Sequence, residues 1–361
     1  MAEMIAVLGA GNGGCAIAAH LALQGHKVNL YEIPELAENF KPLPEKKEIV
    51  IRGKAENGVA RLNTATTDIK EAVSEVETII VTVPAFGYQH IAELLAPVLV
   101  DGQLVAFIPG AFATIYCLEE MHKRGIEAEV TFAESATLPY AARLTSRNEV
   151  SIAGTALLLP VGVFPARKAE PVLKKLKEYY PVITGSRDIL DVALNNLNPV
   201  THPAPVILST SSIEREKDFY LYRDGITDGV KKVMLAMDKE RIAVRKACGI
   251  DTPHYGYHQL EPFEVFEDYF GKGSLVETGY KLKGPSSIKD RYVTDDVPYG
   301  LVFYSTVGKK VGVETPVCDA IIDLASVING ENYWESSANI EKMFIGDWSI
   351  DKLTRFLFEG K

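Results

Sequence analysis

The chain has no run of about 20 apolar residues, so no segment of it reads as a helix crossing a bilayer. Basic residues are the minority, 38 against 48 acidic ones, for a formal net charge of −10. That balance argues against nucleic acid or an anionic membrane as the main partner. Cysteine is scarce: Cys15, Cys117, Cys248 and Cys318 stand far apart, with no C-x-x-C pair. Such spacing suits the reduced thiols of a cytosolic protein and not a disulfide framework or a thiolate zinc site. Cys15 is the one reservation, because it falls just inside the first predicted helix, where a helix N-terminus can lower a thiol pKa. The apolar stretch 4–23 is broken by four glycines and lacks a basic leader, so it reads as part of the fold and not as a signal peptide. What is present is ordinary: 361 residues, 47% hydrophobic, enough for two domains. The expectation is a cytoplasmic, acidic, two-domain protein.

Met4-Ile-Ala-Val-Leu8 is a continuous apolar run that reads as a buried parallel strand. A glycine turn, a helical pattern over 15–23, a stop at Gly25 and a second strand, Lys27-Val-Asn-Leu-Tyr31, complete a βαβ unit. Further strands are predicted at 78–83, 104–108 and 129–132, separated by helix-like text, and at 150–153 and 156–163. Residues 48–62 read as an inserted hairpin turning at Gly58. Alternation of this kind predicts an α/β, doubly wound Rossmann domain. After Gly185 the texture changes, and 188–197, 226–248, 261–270 and 316–328 read as helices. The predicted division is 1–184 for dinucleotide binding and 185–361 for a mostly helical substrate-binding domain.

The turn Gly9-Ala-Gly-Asn-Gly-Gly14 fits G-x-G-x-x-G. Gly9 permits the tight turn, Gly11 lets the backbone approach a pyrophosphate, and Gly14 lets the helix pack on the strand. Asn12 and Gly13 complete the candidate cofactor-side positions. The helix N-terminus then offers unpaired N–H groups to the phosphates. Glu32 ends the second strand, where a carboxylate binds ribose hydroxyls and repels a 2′-phosphate. With no arginine close behind it, NAD(H) is favoured over NADP(H), and nothing else in the chain resembles a flavin domain.

Hydride transfer to a carbonyl or imine needs a proton donor, for which histidine is best matched at neutral pH. Of seven histidines, His20, His26, His90 and His122 sit in helical or turn text without neighbouring chemistry. His202 differs, since it lies in the polar stretch Asn195-Asn-Leu-Asn-Pro-Val-Thr-His-Pro203 that opens the second domain. His254 and His258 are four apart, with Glu261 and Glu264 following, a spacing that allows metal ligation on a helix. Pro253 and Gly256 break that helix, so Tyr255 and Tyr257 read instead as pocket or packing residues.

The glycine turn, Glu134-Ser-Ala-Thr-Leu-Pro-Tyr140 with Arg143, Asn198-Pro-Val-Thr-His202, and Arg291-Tyr-Val-Thr-Asp-Asp-Val-Pro-Tyr299 together resemble the octopine/nopaline (opine) dehydrogenases. The resemblance implies NAD(P)H-dependent reductive condensation of an amino acid with a 2-keto acid, without a metal. It also implies a helical second domain related to that of the 6-phosphogluconate dehydrogenase superfamily. By position it makes His202 the catalytic acid/base, Asp296 its orienting carboxylate and Arg291 the clamp on a substrate carboxylate. Imine formation needs an acid to expel water, and arginine's planar fork suits bidentate carboxylate capture. Asp295 is the lower-ranked neighbour of Asp296. Thr137 and Asn198 are weaker candidates as polar groups near substrate or nicotinamide, and Arg143 reads equally as surface charge. Pyruvate with a hydrophobic amino acid is the expected substrate pair, and the helical domain could supply a homodimer interface. Two alternatives remain at this point: a 2-hydroxy-acid or ketopantoate-like dehydrogenase, and a dinucleotide-sensing protein without turnover.

Overall fold

The computed structural model describes residues 2–215, 218–251, 281, 283–336 and 340–361. The predicted 261–270 helix, and with it His254, Tyr255, Tyr257, His258, Glu261 and Glu264, lies outside the described residues. The chain forms two compact units, Met1–Val192 with Phe358–Gly360, and Ala193–Leu357 with Lys361.

The first unit is built on an eight-stranded sheet. Its strands are β1 (Met4–Leu8), β2 (Lys27–Tyr31), β5 (Thr64–Thr66), β6 (Thr78–Val81), β7 (Leu104–Phe107), β8 (Thr131–Ser135), β11 (Leu159–Phe164) and β12 (Ile183–Gly185). Their order is β12-β11-β8-β7-β6-β1-β2-β5. The six from β5 to β8 are parallel, and β11 joins β8 antiparallel. This is the order of a dinucleotide-binding sheet, with its crossover between β1 and β6. Strands β1, β6 and β7 are buried almost throughout, as expected of parallel strands covered by helices on both faces.

The predicted hairpin is real, β3 (Glu48–Gly53) pairing antiparallel with β4 (Gly58–Arg61), but Gly58, expected at its turn, opens β4 opposite Ile51, and the turn lies at 54–57. It belongs to a second sheet, β4-β3-β10-β9, completed by β9 (Tyr140–Ser146) and β10 (Glu149–Thr155). In β10 exposure alternates residue by residue, so one face is turned inward. That face packs on the first helix, Asn12–Leu23.

The second unit is helical among its described residues. Its frame is the 20-residue helix Asp228–Ala247, with Val302–Lys310 and Pro316–Asn329 packed beside it. Two short turns of helix, Asn198–Thr201 and Pro203–Leu208, flank His202. Two π-helical segments, Leu221–Gly225 and Val297–Leu301, lie in the same unit.

Candidate active site

The glycine turn performs the geometry its sequence requires. Gly9 has φ +100°, which L side chains rarely adopt. A Cβ on Gly14 would lie 1.7 Å from the Gly9 carbonyl oxygen, so only glycine lets the first helix start this close to β1. A Cβ on Gly11 would meet nothing within 4 Å, so that peptide faces open space. The helix begins with no acidic residue in its first turn and no side-chain cap at Gly11. Its first N–H groups and dipole therefore suit a diphosphate.

Glu32 is fixed beside this turn. Its carboxylate accepts from the Ala10 N–H at 3.0 Å and the Ile33 N–H at 2.9 Å. These residues fit a dinucleotide. Asn12 is committed elsewhere in part, since its Oδ1 accepts from the Leu144 N–H of β9 at 2.8 Å. A Cβ on Gly13 would press on Leu138 at 2.8 Å. Cys15 is buried, and desolvation, aided by the charge of Glu32, pushes its thiol up to about 12. The dipole effect is overridden, and all four cysteines are buried and outside any disulfide.

At the carboxyl ends of β7 and β8, Glu134 is fully buried and accepts from the Phe112 and Thr114 N–H groups at 2.8 Å each. Burial pushes this carboxyl up to about 7 in spite of those donors. Thr137 is half-buried, its carbonyl accepting from Ser135 Oγ at 2.8 Å. Arg143 is exposed on β9.

In the second unit the structure brings together residues far apart in the chain. His202 is 8% exposed, and its Nδ1 stands 2.7 Å from Asp296 Oδ2. A carboxylate only accepts, so Nδ1–H donates to it and Nε2 is left for other partners. Tyr292 stacks on the imidazole, centroids 4.1 Å apart and planes at 27°. The Tyr222 hydroxyl lies 3.5 Å from Nε2. Arg291 is exposed, its guanidinium carbon 5.7 Å from the Tyr292 ring centre, and it has no carboxylate partner among the described residues. Half-buried Asn198 accepts the His202 N–H on its carbonyl at 2.9 Å.

Close packing sets the His–Asp contact. Gly300 sits against Pro199, where a Cβ would come within 2.1 Å of Pro199 Cγ. The missing side chain brings the turn carrying Asp296 onto the turn carrying His202. Upstream, buried Arg241 donates to Leu194 O at 2.7 Å and to Asn195 Oδ1 at 3.3 Å, and the Tyr304 hydroxyl donates to Asn196 O. Sequence reasoning missed Tyr222 and Tyr292. Tyr292 had a signal, as the neighbour of Arg291, whereas Tyr222 had none.

A Rossmann unit with an open glycine turn, and a helical unit presenting a carboxylate-oriented histidine, define a nicotinamide-dinucleotide-dependent oxidoreductase. Residues 185–329 match the helical-domain model of the NAD/NADP octopine/nopaline dehydrogenases, and residues 4–133 match the N-terminal model of NAD-dependent glycerol-3-phosphate dehydrogenase. The opine dehydrogenase of Arthrobacter sp. (strain 1C) is 30% identical over 346 residues, covering 94% of each chain. The octopine dehydrogenase of Pecten maximus is 24% identical over 92% of each. An octopine dehydrogenase solved with NADH and agmatine superposes with a TM-score of 0.76 at 20% identity, over 99% of this chain and 98% of that one. The chain belongs to the opine dehydrogenase family. It is an NAD(P)-dependent oxidoreductase acting on CH–NH bonds, which joins an amino acid to a 2-keto acid by reductive condensation.

Proposed function

We propose that the substrates are pyruvate and a hydrophobic amino acid, that NADH is the preferred reductant, and that His202, Asp296 and Arg291 carry the substrate chemistry. The observation that supports this most is the 2.7 Å contact between His202 Nδ1 and Asp296 Oδ2. With Nδ1–H held, Nε2 gives its proton to the carbinolamine formed when the amine adds to the keto carbon. The C–O bond breaks, water leaves and the C=N bond forms. The bound nicotinamide supplies the hydride that reduces this imine. Arg291, exposed and without a carboxylate partner among the described residues, receives a substrate carboxylate in its planar fork. Thr137 and Asn198 are assigned weaker contacts to substrate or nicotinamide.

Gly9, Gly11, Asn12, Gly13, Gly14 and Glu32 form the cofactor cradle. Glu32, held by two N–H donors, faces a 2′-phosphate with fixed negative charge, which supports NADH over NADPH. A related yersinopine dehydrogenase has been solved with NADP+ bound, so the preference belongs to each sequence. In this reading residues 1–184 hold the dinucleotide and 185–361 the substrates, in a cytoplasmic enzyme whose helical domain supplies any dimer interface.

The test mixes protein, NADH, pyruvate and a panel of amino acids, and follows the reduced nicotinamide band. Amine-dependent oxidation, faster with aliphatic side chains and with NADH than NADPH, is the expected result. Oxidation by the keto acid alone would instead assign a hydroxy-acid dehydrogenase, and no oxidation with any amine would refute the proposal.

A further inference from the structure

Reductive condensation consumes a proton. An amino acid entering as its ammonium form, a 2-keto acid, a reduced nicotinamide and one proton yield the secondary ammonium product, the oxidised nicotinamide and one water. The proton that expels water comes from His202 Nε2, and the net uptake of one proton per turnover requires the site to exchange protons with solvent. Yet His202 is only 8% exposed, with one ring face covered by Tyr292 and Nδ1 held by Asp296.

We propose that Tyr222 is the proton carrier between solvent and His202 Nε2, a role that rests on the assignment of His202 as the acid. Its hydroxyl is 3.5 Å from Nε2, the residue is half-buried, and the next two residues along the chain, Arg223 and Asp224, are exposed. A phenol both donates and accepts, so one hydroxyl serves the two states of the ring. When Nε2 has lost its proton, the Tyr222 O–H bond breaks as the Nε2–H bond forms, and the phenol oxygen takes a proton from a solvent acid, hydronium or a protonated buffer, in the same event. No charge stays on the phenol, and imidazolium is restored. The two ring contacts differ as this role requires. The 2.7 Å bond to Asp296 is a tether, whereas the 3.5 Å contact is long enough to yield to substrate and tighten between turnovers. Tyr222 sits in a π-helical turn, Leu221–Gly225, and such turns often present side chains at functional sites.

The test is Tyr222→Phe, which keeps the ring and removes the hydroxyl. The expected result is a kcat about tenfold below wild type, with KM for pyruvate and NADH within twofold. Adding imidazole at constant pH and ionic strength restores the variant's kcat and leaves the wild type unchanged. Imidazole moves protons but, lacking a primary amine, forms no imine. A purely structural role would not respond to buffer. A kcat within twofold of wild type, or a loss that imidazole does not touch, overturns the proposal. If the wild type itself turns over no amine, the reaction assignment has failed instead. The contact is then decided without turnover by histidine 15N NMR of the full chain. Tyr222→Phe moves the His202 Nε2 resonance and leaves Nδ1 in place, and an unmoved Nε2 resonance removes Tyr222 from the site.

Discussion

Replacing Gly300 by alanine adds one methyl group in the second unit, and the structure sets its effect. The new Cβ would stand 2.1 Å from Pro199 Cγ and 2.6 Å from Pro199 Cβ, where ordinary contact begins at 3.4 Å. About 1.3 Å of separation must be found, and a proline ring has no flexible end to swing away. The backbone turns 198–201 and 297–301 must therefore part. Asp296 immediately precedes the second turn and His202 immediately follows the first, so the same parting stretches their 2.7 Å contact. Overpacking of this kind costs about 1–3 kcal/mol of stability. A displacement near 1 Å at a catalytic group costs on the order of 100-fold in rate. The expected phenotype of Gly300→Ala is a folded protein, slightly lower in Tm, with NADH affinity unchanged and kcat down about 100-fold. Steady-state kinetics with the best amine, NADH fluorescence titration and thermal melting measure the three quantities. A variant that keeps kcat within twofold of wild type would refute the claim that this glycine sets the His–Asp geometry.

Asp296→Asn keeps the shape but donates where the carboxylate accepted, so it selects the wrong imidazole tautomer. It should lower kcat at least about 100-fold with Tm near wild type, and a smaller loss would mean that Asp296 does not orient the acid. Arg291→Lys replaces a bidentate fork by a point charge. A loss of about 2 kcal/mol predicts a rise of about 30-fold in KM for pyruvate, and an unchanged KM would place the carboxylate elsewhere. Glu134 offers a pH signature. Its folded-state value, about 7, lies above the ordinary 4.5, so the folded protein keeps this proton where the unfolded chain has lost it. The resulting stability, on the order of 3 kcal/mol, is fully present below pH 4.5 and disappears as pH rises through 7. Melting curves of wild type should therefore fall relative to Glu134→Gln between pH 5 and 7.5, and parallel curves would show that Glu134 is ionised throughout.

Local pattern made most of the first unit legible. The bounds of β1 and β2 follow from continuous apolar runs, and the hairpin lies where expected although its turn falls at 54–57 and Gly58 opens β4. Three strands escaped: β5 and β12 have three residues each, too few to show a period, and β9 (Tyr140–Ser146) carries polar residues along an exposed end. The partnership of the hairpin with β9 and β10 is a matter of pairing across about 100 residues, which periodicity does not encode. In the second unit Asp228–Ala247 and Pro316–Asn329 were legible, whereas Val302–Lys310 and the geometry of the site were not. His202 and Asp296 are 94 positions apart, and only family resemblance linked them before the fold did. Tyr222 has no motif at all, because its place depends on one π-helical turn.

The segment that carries His202 has little local reason to hold its shape. Its helical turns have four and six residues, below the length at which a helix sustains itself, and Pro199, Pro203 and Pro205 remove three backbone donors. Its position is therefore imposed from outside, by Arg241 on Leu194 and Asn195, by Tyr304 on Asn196 and by Gly300 under Pro199. Arg241 and its partner Asp238 are both fully buried, with Nη2 and Oδ1 2.8 Å apart. Desolvating such a pair is expensive and adds little net stability. Its use here is directional, since the same guanidinium that satisfies Asp238 also reaches the two residues that fix where the histidine segment begins. Stability and activity should accordingly separate in this unit. Changes among the buried aliphatic residues of the long helices act on folding, whereas changes to these polar anchors act on the distance between His202 and Asp296.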